Sequence, residues 1–108
     1  MTSRRSHLTV THVSIRGRVQ GVGYRAWTVD EARRRGLEGW VRNRRDGTVE
    51  AVFIGPDSVV AEMIDACRQG PRSAHVTRVE VRDATADDLA QSNGRQTTSK
   101  DFLFLPTL

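Results

Sequence analysis

Nine consecutive residues, Gly17-Arg18-Val19-Gln20-Gly21-Val22-Gly23-Tyr24-Arg25, combine three glycines with a closing arginine. Glycine lets a backbone take positive φ and turn successive N–H groups inward, and such a nest binds anions. Arginine adds a fixed cation with a planar fork of donors suited to phosphoryl oxygens. An alternating apolar run, Val13 and Ile15, precedes these residues, and a helix-like run begins near Ala26. The loop therefore reads as a strand-to-helix turn, where the positive end of the helix dipole also favours an anion. The chemistry it suits is the holding of a phosphate or phosphoryl group.

Other sites of phosphate or nucleophile chemistry fail on spacing. Gly21-Val22-Gly23-Tyr24-Arg25-Ala26 fits the dinucleotide pattern of glycines, but that fold needs a parallel β-α-β unit with an acid about twenty residues on. Here position 41 is Val41 and the next turn is a hairpin. A Walker A loop is excluded because no Lys-Ser or Lys-Thr follows the glycines. Cys67 and Arg72 are separated by four residues, too few for a phosphatase thiolate loop. Cys67 also ends a helical apolar stripe, whereas a reactive thiolate wants a helix N-terminus, so it reads as a core residue. His7, His12 and His75 are scattered and no cysteine cluster exists, so no metal site and no cofactor are expected.

The 108 residues suit one domain able to bury a modest core without staples. Residues 1–7 are polar and basic and are expected to be a flexible tail, with residues 8–108 as the single domain. The apolar runs are too short for a membrane span or a secretory signal, and the lone Cys67 cannot form an internal disulfide, so a cytoplasmic protein is expected, taken here as a monomer. Seventeen basic against thirteen acidic residues give a net charge of +4, which favours an anionic partner without choosing between nucleic acid and a phosphorylated metabolite. Arg33, Arg34 and Arg35 close a helix, where cations stabilise the negative dipole end, and read as a solvated face.

Periodicity supplies the elements that must position the loop. Strands are expected over residues 8–15 and 37–44, with Trp40 and Val41 on opposite faces, and over 48–54 after an Asp46-Gly47 hairpin turn. A first helix is expected over residues 25–35, stopped by Gly36. A second carries Val59, Val60, Met63, Ile64 and Cys67 on one stripe, with Asp57 or Ser58 as its N-cap and Gly70-Pro71 as its end. Val76, Val79 and Val81 mark a fourth strand. Residues 82–100 read as a long surface loop with an acidic patch at Asp83, Asp87 and Asp88 and one irregular helical turn near residues 86–91. Phe102, Leu103, Phe104 and Leu105 form a last short buried strand. The order β-α-β-β-α-β is that of an α+β ferredoxin-like two-layer sandwich, a split β-α-β with an antiparallel sheet and two helices on one face.

The glycine loop closing on Arg25, followed after a helix by Gly39-Trp40-Val41-Arg42-Asn43 and then Asp46-Gly47-Thr48-Val49-Glu50, closely resembles the acylphosphatase family over residues 13–81. Each motif alone is weak, and the pair at this spacing is highly specific. The chain departs from that pattern in its long 82–100 segment and in the uncharged ending of its last strand. The resemblance implies a phosphate cradle formed by the backbone N–H groups of Gln20, Gly21, Val22, Gly23, Tyr24 and Arg25. It implies that Arg25 binds phosphate and that Asn43 orients the attacking water. The implied substrate is a small-molecule acyl phosphate, with no nucleic acid and no membrane as partner. Without the resemblance, Arg25 would be a solvated first-turn arginine and Asn43 a strand-end turn residue. The competing function is a non-catalytic phosphate- or RNA-binding module on the same fold. Against RNA, the strand over residues 48–54 lacks the aromatic pattern of an RNA-recognition sheet.

Overall fold

The structure, a computed structural model, describes residues 8–91 and 102–108. The tail expected over residues 1–7 and the Asn93-Gly94 part of the long segment lie outside the described residues. The chain runs β1 (Leu8–Arg18), α1 (Tyr24–Arg34), β2 (Glu38–Asn43), β3 (Val49–Pro56), α2 (Asp57–Gln69), β4 (His75–Asp83), α3 (Ala86–Ala90) and β5 (Phe102–Phe104). The five strands form one sheet in the order β4-β1-β3-β2-β5.

Four strands pair antiparallel, β1 with β3 and β4, and β3 with β2. The fifth does not: β5 lies parallel to β2, with Gly39 opposite Phe102 and Val41 opposite Phe104, so the sheet is mixed rather than purely antiparallel. Three alternating residues do not by themselves encode this direction. Strand alternation then assigns faces. Val13, Ile15, Val41, Val49, Ala51, Phe53 and Phe102 point toward α1 and α2 and build the main core. Trp40 and Val52 point the other way and pack with Leu105 in a second, smaller cluster.

Helix α1 buries Tyr24, Thr28, Val29 and Ala32, and α2 buries Val60, Met63 and Cys67. These are one face of each helix at three- and four-residue spacing. Full burial of each large apolar side chain contributes roughly 2 kcal/mol, so the two stripes fix both helices on the sheet. Gly36 follows the Arg35 C-cap of α1 with φ 73°, the left-handed stop expected of it. The N-cap of α2 is Pro56, not Asp57 or Ser58, and no side chain caps it. Asp57 instead accepts a 2.7 Å bond from the Thr9 hydroxyl, which ties α2 to β1.

The segment expected as a loop from residue 82 is more ordered than its polarity suggests. Strand β4 continues to Asp83, and α3 begins after a capping box. In that box the Thr85 hydroxyl accepts from the Asp88 amide and the Asp88 carboxylate accepts from the Thr85 amide. Asp88 is buried, not part of a surface acidic patch: it pairs with Arg82 at 2.8 Å, and its carbonyl accepts from the Trp40 indole at 3.0 Å. The Arg82 hydrogen bond holds its carboxyl down at about 2. Helix α3 thus covers the second cluster on the face opposite α1 and α2. Among the described residues no helix is long and apolar enough to cross a membrane.

Candidate active site

The glycine loop connects the end of β1 to α1. Gly21 and Gly23 have φ 75° and 81°, and a Cβ on either would meet nothing within 4 Å, so both are glycine for conformation and not for space. Gly23 is the N-cap of α1 in the left-handed region. No side chain caps this helix and no acid lies in its first turn. The first helical N–H groups are left without an intrahelical acceptor, so they and the positive dipole end remain available to an external anion.

Val19, Gly21, Gly23, Tyr24, Arg25 and Asn43 share a cleft of about 140 Å³, closed on another side by Phe104. Asn43 reaches it because it ends β2 on the helix-facing side, and its backbone is held twice. Asn43 is opposite Val49 on β3, and its carbonyl accepts from the Leu108 amide at 3.2 Å. The Asn43 side chain is buried, yet its Oδ1 has no partner among the described residues. An unpartnered buried acceptor carries a desolvation cost unless something in the cleft donates to it.

Arg25, in the first turn of α1, is half-buried. Among the described residues no carboxylate pairs with it; its guanidinium lies over the Phe104 ring, 4.5 Å from the centroid. Stacking uses the face of the guanidinium and leaves its edge donors for another acceptor.

The remaining loop residues reach elsewhere with their side chains. The Gln20 amide donates to the Arg44 and Thr48 carbonyls, clamping the loop to the β2–β3 hairpin. Val22 packs on the main core and its carbonyl accepts from Ser73 Oγ at 3.1 Å. The Tyr24 ring is core, 5.2 Å from Trp27, and its hydroxyl donates to the Cys67 carbonyl at 2.7 Å. Of these three only Tyr24 borders the cleft; Gln20 and Val22 do not line it. Cys67 is fully buried at the end of α2, and burial pushes its thiol up to about 12, which removes it from nucleophilic chemistry.

Phe104 was expected in a buried strand; it is instead 49% exposed, while Phe102 on the same face is fully buried. The apolar run of four gave no sign of this, because the exposure arises where β5 ends beside the cleft. Behind β2, on the face away from the cleft, the scattered histidine His12 proves to be part of a charged cluster. Its Nε2 is 2.7 Å from Glu50, and the ligand atoms of His12, Glu50 and Asp88 lie within 4.8 Å of one another. Arginines already occupy the carboxylates: Arg42 and Arg44 reach Glu50 at 2.8 and 3.2 Å, and Arg82 reaches Asp88. Burial alone would raise the Glu50 carboxyl, but hydrogen bonds from His12 and Arg42 and the Arg42 charge hold it at about 2.

The model of the acylphosphatase family matches residues 11–93 of this chain. An acylphosphatase of Rhodopseudomonas palustris strain BisB5 is 60% identical over 81 residues, 75% of this chain and 82% of that protein. One from Bradyrhizobium diazoefficiens is 54% identical over 99 residues, 92% of this chain and 96% of the relative. The crystal structure of acylphosphatase from Bacillus subtilis superposes with a TM-score of 0.75 at 30% identity, covering 92% of this chain and 99% of that one. With the family match spanning most of the chain and the fold matching throughout, this chain belongs to the acylphosphatase family.

Proposed function

We propose that the cleft hydrolyses acyl phosphates to a carboxylate and inorganic phosphate, with the phosphoryl group held by the backbone of residues 20–25 and by Arg25. Water held by Asn43 attacks phosphorus in line. The bond from phosphorus to the acyl oxygen breaks, the carboxylate leaves with the bonding electron pair, and the proton shed by the water passes to a phosphate oxygen. A carboxylate is already a stable anion near neutral pH, so no strong general acid is needed. The protein's share is positioning and charge stabilisation.

The observation that carries this reading is the meeting of three things in one cleft: a helix N-terminus with no side-chain cap, an arginine with no carboxylate partner among the described residues, and the Oδ1 of Asn43, likewise without a partner among them. An acceptor oxygen placed beside an anion site is what a water molecule needs if its own oxygen is to be turned toward phosphorus. The reading extends to a monomer acting in the cytoplasm without nucleic acid. Supporting the last point, Leu105 and α3 cover Trp40 and Val52 on the sheet face that an RNA-recognition domain would expose.

The test is hydrolysis of benzoyl phosphate by the wild type, Arg25→Ala and Asn43→Ala. Loss of either group should cost roughly 10²–10³-fold in kcat, the scale of a removed transition-state donor or positioning group. Wild-type rates in either variant, or an inactive wild type, would reject it.

A further inference from the structure

Beyond the phosphoryl end of the site, we infer that Phe104 determines which acyl phosphates it accepts, favouring aromatic and bulky apolar acyl groups over acetyl. The inference rests on the acyl phosphate reading of the cleft and concerns the part of the substrate that the glycine loop does not touch.

Four observations carry it. Phe104 borders the same cleft as Arg25 and Asn43. Its register opposite Val41 sets it on the strand beside β2, on the face that carries Asn43 two residues further along. It is half exposed, whereas Val19 and Tyr24, the other bulky apolar residues of the cleft, are almost fully buried. Among the described residues that line the cleft, the acyl group of a bound substrate therefore meets one large open apolar surface, the Phe104 ring. Finally, the ring carries the Arg25 guanidinium 4.5 Å from its centroid. One side chain thus orients the phosphate-binding cation and offers its remaining surface to the acyl group. An aryl group can stack on such a ring or pack against its edge, gaining contact that a methyl group is too small to make.

The experiment compares kcat/KM for benzoyl phosphate and acetyl phosphate in the wild type, Phe104→Ala and Phe104→Leu, with inorganic phosphate as a competitive inhibitor. Dividing the benzoyl-to-acetyl ratio of each variant by that of the wild type cancels the intrinsic reactivities of the two acyl phosphates. The expected ratio falls about tenfold in Phe104→Ala and about threefold in Phe104→Leu, which keeps apolar bulk but loses the aromatic face. Phosphate inhibition should weaken two- to threefold in both, because Arg25 loses its stacking surface. Circular dichroism of the variants separates these effects from unfolding, and Phe104→Leu alone carries the test if the alanine variant does not fold. A ratio within twofold of wild type in the folded variants overturns the role of Phe104 while leaving the acyl phosphate reading intact. A wild type inert on both acyl phosphates overturns the reading itself.

Discussion

The side-chain amide of Gln20 donates to the main-chain carbonyl of Arg44 at 2.7 Å and, with its second hydrogen, to that of Thr48 at 2.8 Å. This contact spans the two motifs. Gln20 opens the loop that leads to Arg25, and Arg44 directly follows Asn43, so the clamp sets the spacing between the loop proposed to hold the phosphoryl group and the side chain proposed to hold the water. Both carbonyls keep a second donor, the amides of Gly47 and Arg44 respectively, so removing Gln20 strands neither of them.

Gln20→Ala should therefore cost only about 1 kcal/mol of stability, the net worth of modest hydrogen bonds, yet lower kcat on benzoyl phosphate about tenfold by loosening the two halves of the site. Gln20→Glu is the sharper variant. It has the same shape but turns a two-hydrogen donor into a carboxylate facing two carbonyl oxygens, so it should be less stable and less active than the alanine variant. Urea denaturation and steady-state kinetics on the pair measure this; Gln20→Glu behaving like wild type would refute the clamp.

Glu50 anchors the opposite side of the same strand end. Its folded carboxyl lies at about 2 against an ordinary 4.5. A depressed carboxyl stabilises the fold above its ordinary value, and that contribution disappears as pH falls through the folded one, so the window is from about pH 4.5 down to 2. At pH 7 the contribution is about 2 kcal/mol, after allowing for partial solvent screening. The gap in unfolding free energy between wild type and Glu50→Gln should be widest near neutrality and close on acidification. A gap of constant size from pH 7 to pH 2.5 would show that the ionised form of Glu50 does not hold the cluster.

What could be read from the chain was whatever its immediate neighbours determine. The glycine loop, the Asp46-Gly47 turn, the α2 stripe and the opposed faces of Trp40 and Val41 each follow from a few adjacent residues, and the structure contains all of them. The features that escaped depend on partners distant in sequence. Asp88 looks like a surface acid until Arg82, Trp40 and the start of α3 surround it. Phe104 looks like one more residue of an apolar strand until β5 stops beside the cleft. The direction of β5 is invisible in three residues that alternate equally well in a parallel or an antiparallel ladder. The Gln20 clamp was hidden because a glutamine in a loop has many partners within reach, and only the folded hairpin selects among them.

At Gly23 the left-handed φ of 81° allows a clean separation of backbone from space. A Cβ added there meets nothing within 4 Å, so Gly23→Ala tests conformation alone. Holding alanine in that region costs roughly 1 kcal/mol, and relaxing out of it would rotate the first N–H groups of α1 away from the cleft. The melting temperature should drop by a few degrees and inhibition by inorganic phosphate should weaken about tenfold. Unchanged phosphate affinity would mean that the cradle does not depend on the helix N-terminus.

Asn43 offers the converse case, in which losing function should not cost stability. Its Oδ1 is buried and has no partner among the described residues, so its removal breaks no hydrogen bond seen there. Asn43→Ala removes the polar atom along with a little packing, and the two effects oppose each other. The unfolding free energy should therefore change by less than about 1 kcal/mol, or rise, while kcat on benzoyl phosphate falls by two to three orders of magnitude. Inhibition by inorganic phosphate should barely move, because the loop and Arg25, the proposed phosphate-holding groups, are unchanged. That combination separates an orienting group from a structural one. If the variant instead lost several kcal/mol along with its activity, Asn43 would be a packing residue at a strand end, and the water would have to be held by something else.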